Sequence, residues 1–220
     1  MRSRRSIPYL AACAALVSFA PAIDLRADAS SSITIRSYNT FTGAPTDLAT
    51  ARDVARHAFQ HAGIDAGWRE CRTAHRAEAD ACNDVLGSGE VIVRIVAAPA
   101  GGGADDVLGD AHLDTAEGGG VLATVFADRV HRTAARTRGD AAILLGRAVA
   151  HEVGHLLIGS SRHSRRGLMR AWWIDSELRR NLDYDWQFSP RQGARLRAAV
   201  LARRRPQTLI ARPIDAFLVP

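Results

Sequence analysis

The sequence predicts an α+β fold: a mixed, twisted sheet with a buried helix and a smaller helical part towards the C-terminus. Three observations lead there. Residues 90–97 (EVIVRIVA) are nearly all β-branched, which suits a central strand. Residues 140–158 end in AAILLGRAVAHEVGHLLI, which is apolar nearly all round, and a helix of that kind is buried. Strand-like segments precede this helix and helix-like ones follow it. The 220 residues suffice for one domain with a substantial core.

The elements follow in order. Residues 32–38 (SITIRSY) alternate around Ile33 and Ile35 and read as a strand. Thr46 or Asp47 can cap a helix running to Ala62, where Gly63 ends it. Its apolar stripe is Leu48, Ala51, Ala55, Ala58 and Ala62. Residues 64–70 form a weaker strand candidate, and a polar, Ala-rich loop with Cys71 and Cys82 comes next. After the strand at 90–97, Pro99 and the glycines at 101–103 make a loop. Residues 108–113 suit a short strand. Glycines 118–120 turn the chain into 121–130 (VLATVFADRV), another expected strand, and 132–139 connect to the buried helix. A further helix is expected over 175–182. Ser189 as cap and Pro190 in the first turn open the last one, to 205.

The start of the chain has the composition of an export signal. Arg2, Arg4 and Arg5 precede an apolar stretch over 7–22, and Ala20-Pro21-Ala22 and Ala27-Asp28-Ala29 are small-x-small cleavage candidates. Residues 1–29 therefore read as a signal peptide cleaved near 22 or 29, leaving 30–220 as one domain, secreted or periplasmic. An uncleaved membrane anchor is the alternative, although the stretch is short for a span. Removal of Cys13 leaves Cys71 and Cys82, and an oxidising compartment favours a disulfide between them over two buried thiols.

Charge says less than it first suggests. Cleavage after Ala22 removes three of the 29 basic residues and none of the 23 acids, so the net formal charge falls from +6 to +3. Every basic residue is Arg, which with the abundance of Ala indicates a compositional bias. The last helix carries Arg191, Arg195, Arg197 and Arg203 on its polar side. With Leu196, Val200 and Leu201 inward, this reads as a solvated face. No nucleic acid partner is expected, nor a membrane after cleavage, and the oligomeric state stays open. Neither glycine run is a phosphate loop, and no nucleophile elbow surrounds Ser160 and Ser161.

The chemistry concentrates in residues 151–169, HEVGHLLIGSSRHSRRGLM. His151 and His155 stand four apart, so a helix puts both imidazoles on one face, a spacing that suits two ligands of one Zn²⁺. Glu152 lies beside them, where a carboxylate can take a proton from water. Gly159 ends the helix and the chain turns towards His163. Buried imidazoles need partners, and a metal satisfies them. His57 and His61 share the same spacing but fall off the apolar stripe with no Glu between them, and they read as a solvated pair.

This run resembles the metzincin clan of zinc metallopeptidases, and within it small exported bacterial members with HExxH, a glycine, a third histidine and a Gly-Leu-Met turn. The clan pattern HExxHxxGxxH is matched directly by His151, Glu152 and His155. Gly159 and His163 each come one residue later than the pattern has them, which implies a slightly longer helix and a wider turn. The resemblance implies a zincin-like fold, zinc held by His151, His155 and His163, Glu152 as general base, and Met169 as an apolar methionine turn beneath the metal. Ala171 stands where several members carry Tyr. It implies too that residues 108–113 are the sheet edge along which a substrate lies. The expected function is that of an exported zinc-dependent endopeptidase acting on peptide or protein substrates, with Trp172 and Trp173 walling the cleft or packing in the core. Two alternatives stand: a gluzincin-like hydrolase taking its third ligand from Glu177 or Asp175, and a non-catalytic zinc-stabilised binding protein, against which the presence of Glu152 argues.

Overall fold

The computed structural model describes residues 31–42, 45–71, 82–100, 106–114 and 119–204. The expected signal peptide, the glycines at 101–103 and the tail after Pro206 lie outside the described residues. Five strands form one sheet in the order β2-β1-β3-β5-β4. They are β1 (Ser32–Asn39), β2 (Asp65–Glu70), β3 (Glu90–Val96), β4 (Gly109–Asp114) and β5 (Gly119–Phe126). β1 pairs parallel with β2 and β3, and β3 with β5, while β4 runs antiparallel at the edge. The β-branched segment is thus the central strand, and the sheet is mixed as expected.

The helices are α1 (Pro45–His61), α2 (Ala127–Thr137), α3 (Ala141–Ile158), α4 (Asp175–Arg180) and α5 (Pro190–Arg204), with a 3-10 turn at Asp183–Trp186. One core joins the sheet to α1 and α3. Ile33, Ile35, Val91, Val93, Ile95, Ala123 and Val125 meet Phe59, Ala55, Val149, Val153 and Leu156 there. α3 is long and apolar enough to cross a membrane, but 83% of it is buried inside the fold, which accounts for its composition. Asp140 caps it by accepting from the N–H groups of Ala142 (2.7 Å) and Ile143 (3.1 Å). Ser189 and Gln192 cap α5 reciprocally, side chain to main chain, at 3.3 and 2.8 Å. α5 turns Leu196 and Val200 into the core. Leu201, expected beside them, stays 37% exposed.

The reading of 121–130 as one strand is corrected. β5 stops at Phe126, and the segment expected to be strand end and connector is α2. Its buried positions, Ala127, Val130, Thr133, Ala134 and Thr137, recur at helical spacing. Arg129 reinforces the change by donating to the Val107 carbonyl at 2.9 Å, which ties α2 to the approach of β4.

Arg36 and Tyr38, which alternate with Ile33 and Ile35 along β1, meet the chain that leaves Cys82. Cys71 and Cys82 are disulfide-bonded, and residues 72–81 between them lie outside the described residues. Arg36 on β1 donates to the Asp84 carbonyl (2.8 Å) and pairs with Glu90, and the Tyr38 hydroxyl donates to the Cys82 carbonyl (3.0 Å).

Candidate metal centre

α3 delivers the first two imidazoles. One helical turn separates His151 from His155, and their ring centroids are 4.7 Å apart. The helix then ends in a left-handed Gly159 (φ 66°), whose N–H donates to the His155 carbonyl at 2.9 Å. That turn sends the chain back, and His163 arrives against the pair, with centroids 4.8 Å from His155 and 5.3 Å from His151. The His155 Nε2 lies 3.0 Å from the His151 Nε2 and 3.2 Å from the His163 Nε2.

The main chain fixes which ring nitrogens face inward. His151 Nδ1 lies 2.9 Å from the Leu168 carbonyl, and His155 Nδ1 lies 2.6 Å from the Ser160 carbonyl. A carbonyl only accepts, so each Nδ1 carries the proton and each Nε2 of a neutral ring presents its lone pair. Burial keeps these rings neutral: it lowers the His151 pKa to about 3, with His155 and His163 adding to the effect, and lowers those of His155 and His163 as well. The lone pairs of His151 and His155, 3.0 Å apart, repel unless a cation lies between them, and the His163 Nε2 stands 3.2 Å from the second of them. A tetrahedral zinc ion with Zn–N bonds of about 2.0–2.1 Å separates its nitrogens by roughly 3.3–3.4 Å. The donor set therefore fits a small, imidazole-preferring divalent cation.

The carbonyl of Leu168 belongs to the Gly-Leu-Met turn, so that turn orients His151 besides underlying the site. Met169 is 1% exposed, and a Cβ on Gly154, between the two helical histidines, would lie 2.8 Å from its sulfur. The Ser164 N–H donates to the Met169 carbonyl at 2.8 Å, which pins the segment carrying His163 to the same turn. The two alternative ligands are engaged elsewhere: Glu177 pairs with Arg170 at 2.6 Å and Asp175 with Arg136 at 2.5 Å. His57 and His61 are exposed and make an edge-to-face pair 4.6 Å apart, with no third ligand among the described residues.

Glu152 opens into the same cleft as the imidazoles, a space of about 360 Å³. Burial raises its carboxyl pKa to about 8, and the charge of Asp110 adds to the shift. A cation at the imidazoles opposes that shift. The opposite bank is β4. The Phe126 N–H donates to the Leu108 carbonyl at 2.9 Å, so by antiparallel alternation the main-chain groups of Gly109 and Ala111 face the open edge. Trp173 stands edge-on to His151 at 5.6 Å and to Trp186 at 5.3 Å, while Trp172 is 64% exposed at the rim. Both tryptophans line the cleft.

No family model matches this sequence, and no curated protein matches it either. Solved structures do. The chain is similar to archaemetzincin from Methanopyrus kandleri, with a TM-score of 0.50 and 14% identity, over 79% of this chain and 98% of that one. The fold is metzincin-like. Similarity to myroilysin is looser, with a TM-score of 0.30 and 13% identity over 73% of this chain and 70% of that one. The metzincin-like fold accounts for the mixed sheet, its antiparallel edge and the buried helix that carries the HExxH run.

The sequence did not identify the Leu168 and Ser160 carbonyls as orienting groups, nor Gly109 as a neighbour of Glu152. The Gly-Leu-Met turn was the available signal for the first. For the others the sequence offers none, because any residue has a carbonyl and only the fold brings β4 to Glu152.

Proposed function

We propose that the protein is an exported zinc-dependent endopeptidase, with residues 30–220 as its catalytic domain. The observation that carries the reading is the convergence of three imidazoles in one cleft with Glu152, with the Nδ1 positions of His151 and His155 occupied by main-chain carbonyls. His151, His155 and His163 would hold the metal, which when bound supplies Lewis acidity towards water and a carbonyl group. Glu152 takes a proton from the attacking water as a carbon–oxygen bond forms at the scissile carbonyl. It then delivers that proton to the amine nitrogen as the carbon–nitrogen bond breaks. An extended peptide adding itself to the open edge of β4 would cross the cleft in front of these groups. Arg170, held by Glu177 and lying 5.2 Å from the Trp186 ring, and Trp173 keep the far wall rigid. Met169 packs beneath the imidazoles without ligating. The disulfide is consistent with an extracellular setting.

Metal analysis of the mature protein and one substitution test the reading together. About one zinc per chain is expected. Glu152→Ala should retain that zinc and lose hydrolysis of a denatured protein substrate by at least about 100-fold. A chain that takes up no zinc, or a variant that cleaves at the wild-type rate, overturns it.

A further inference from the structure

Glycine inside a strand is an unfavourable choice, and it often marks the close approach of another group. Gly109 opens β4, and its φ lies outside the left-handed region, so the backbone does not demand glycine there. The strand is also pinned at this point. The Leu108 carbonyl accepts from Phe126, the Val107 carbonyl accepts from Arg129, and Gly109 itself registers with the buried Val125. A Cβ at position 109 would lie 2.6 Å from the Glu152 Cγ, 2.7 Å from its Oε1 and 2.9 Å from its Cδ. The three nearest atoms all belong to Glu152. Neither backbone can retreat, since α3 is buried and β4 is held, so the Glu152 side chain must be the part that moves.

We propose that Gly109 is a positioning residue for Glu152: the side chain it lacks is the space that Glu152 occupies beside the imidazoles. Its catalytic consequence rests on the proposed role of Glu152 as base, while the placement itself does not. Gly67 on β2 is the natural control, because a Cβ there meets its nearest atoms at an ordinary 3.5 and 3.6 Å.

The test is a double-mutant cycle in melting temperature, joined to kinetics. In the wild-type background Gly109→Ala should lower the melting temperature through the clash. In a Glu152→Ala background the clash is gone and only the gain from replacing a strand glycine remains, so the same change should raise it by about 2–4 °C. With a peptide that the wild type cleaves, Gly109→Ala should lower kcat roughly 100-fold, with KM within about twofold and the metal content unchanged. Gly67→Ala should keep the wild-type kcat. Equal melting shifts in the two backgrounds overturn the proposal, as does an undiminished kcat or a loss of metal that accompanies the loss of activity. If the wild type cleaves nothing, the endopeptidase reading fails, and the melting cycle still decides the placement of Glu152.

Discussion

At the scale of single residues, His163 is the proposed ligand on which the reading depends most. His151 and His155 are placed by helix geometry, but His163 reaches them only through the left-handed Gly159 and the wide turn after it. His163→Ala should weaken zinc affinity by at least about 100-fold, since loss of an outer-shell partner alone costs 10–100-fold. Glu177→Ala should leave the affinity nearly unchanged, because that carboxylate is committed to Arg170. Competition with a chromogenic chelator measures both, and the reverse order would return the gluzincin-like arrangement. Much of this site was legible beforehand. An HExxH run in a helix with no polar face points to a metal, whereas the same histidine spacing at His57 and His61 lies on a solvated face. The tautomers were not legible, because they depend on two main-chain carbonyls that three-dimensional folding supplies.

At the scale of elements, the disulfide anchors a stretch whose part its position reveals. The carbonyls of Cys82 and of Asp84, just beyond it, receive Tyr38 and Arg36 from β1, so the chain leaving the disulfide is held against that strand. Cys71 and Cys82 are separated by 11 positions, a loop short enough that its closure contributes about 2–3 kcal/mol. Reduction should therefore lower the melting temperature by roughly 5–10 °C. Thiol labelling of the denatured, unreduced mature protein should find neither cysteine reactive. The elements themselves were mostly readable: β3 from its β-branched run, α3 from its uniform apolarity, and α5 from Ser189 and Pro190. α2 was not. Its inward alanines, threonines and one valine stand against outward charged residues at helical spacing, but the apolar alternation of Ala123 and Val125 just before it carries the strand reading too far.

At the scale of the whole molecule, the Arg36–Glu90–Arg69 cluster links β1, β2 and β3 and makes stability depend on pH. The hydrogen bond from Arg36 holds the Glu90 carboxyl below its ordinary range, against the opposing effect of burial, with Gly87 and Arg69 assisting. A depressed carboxyl stabilises the fold above its unfolded pKa of about 4.3, and the contribution is lost as pH falls through the folded value. Glu90→Gln should therefore be the less stable protein at about pH 7, and the difference should shrink in acid as the wild type protonates. Denaturant midpoints across pH measure this, and a gap that widens in acid would contradict it. The open edge of β4 has a consequence of a different kind. A strand that offers its main-chain groups to an incoming chain offers them equally to another copy of itself, so a receptive cleft is also a site for unwanted self-assembly. Asp110 and Asp114 flank His112 on the exposed face of this strand, and carboxylates brought together there discourage such pairing. Replacing both with Asn should promote concentration-dependent association, visible by light scattering, and unchanged scattering would mean that something other than charge keeps the copies apart.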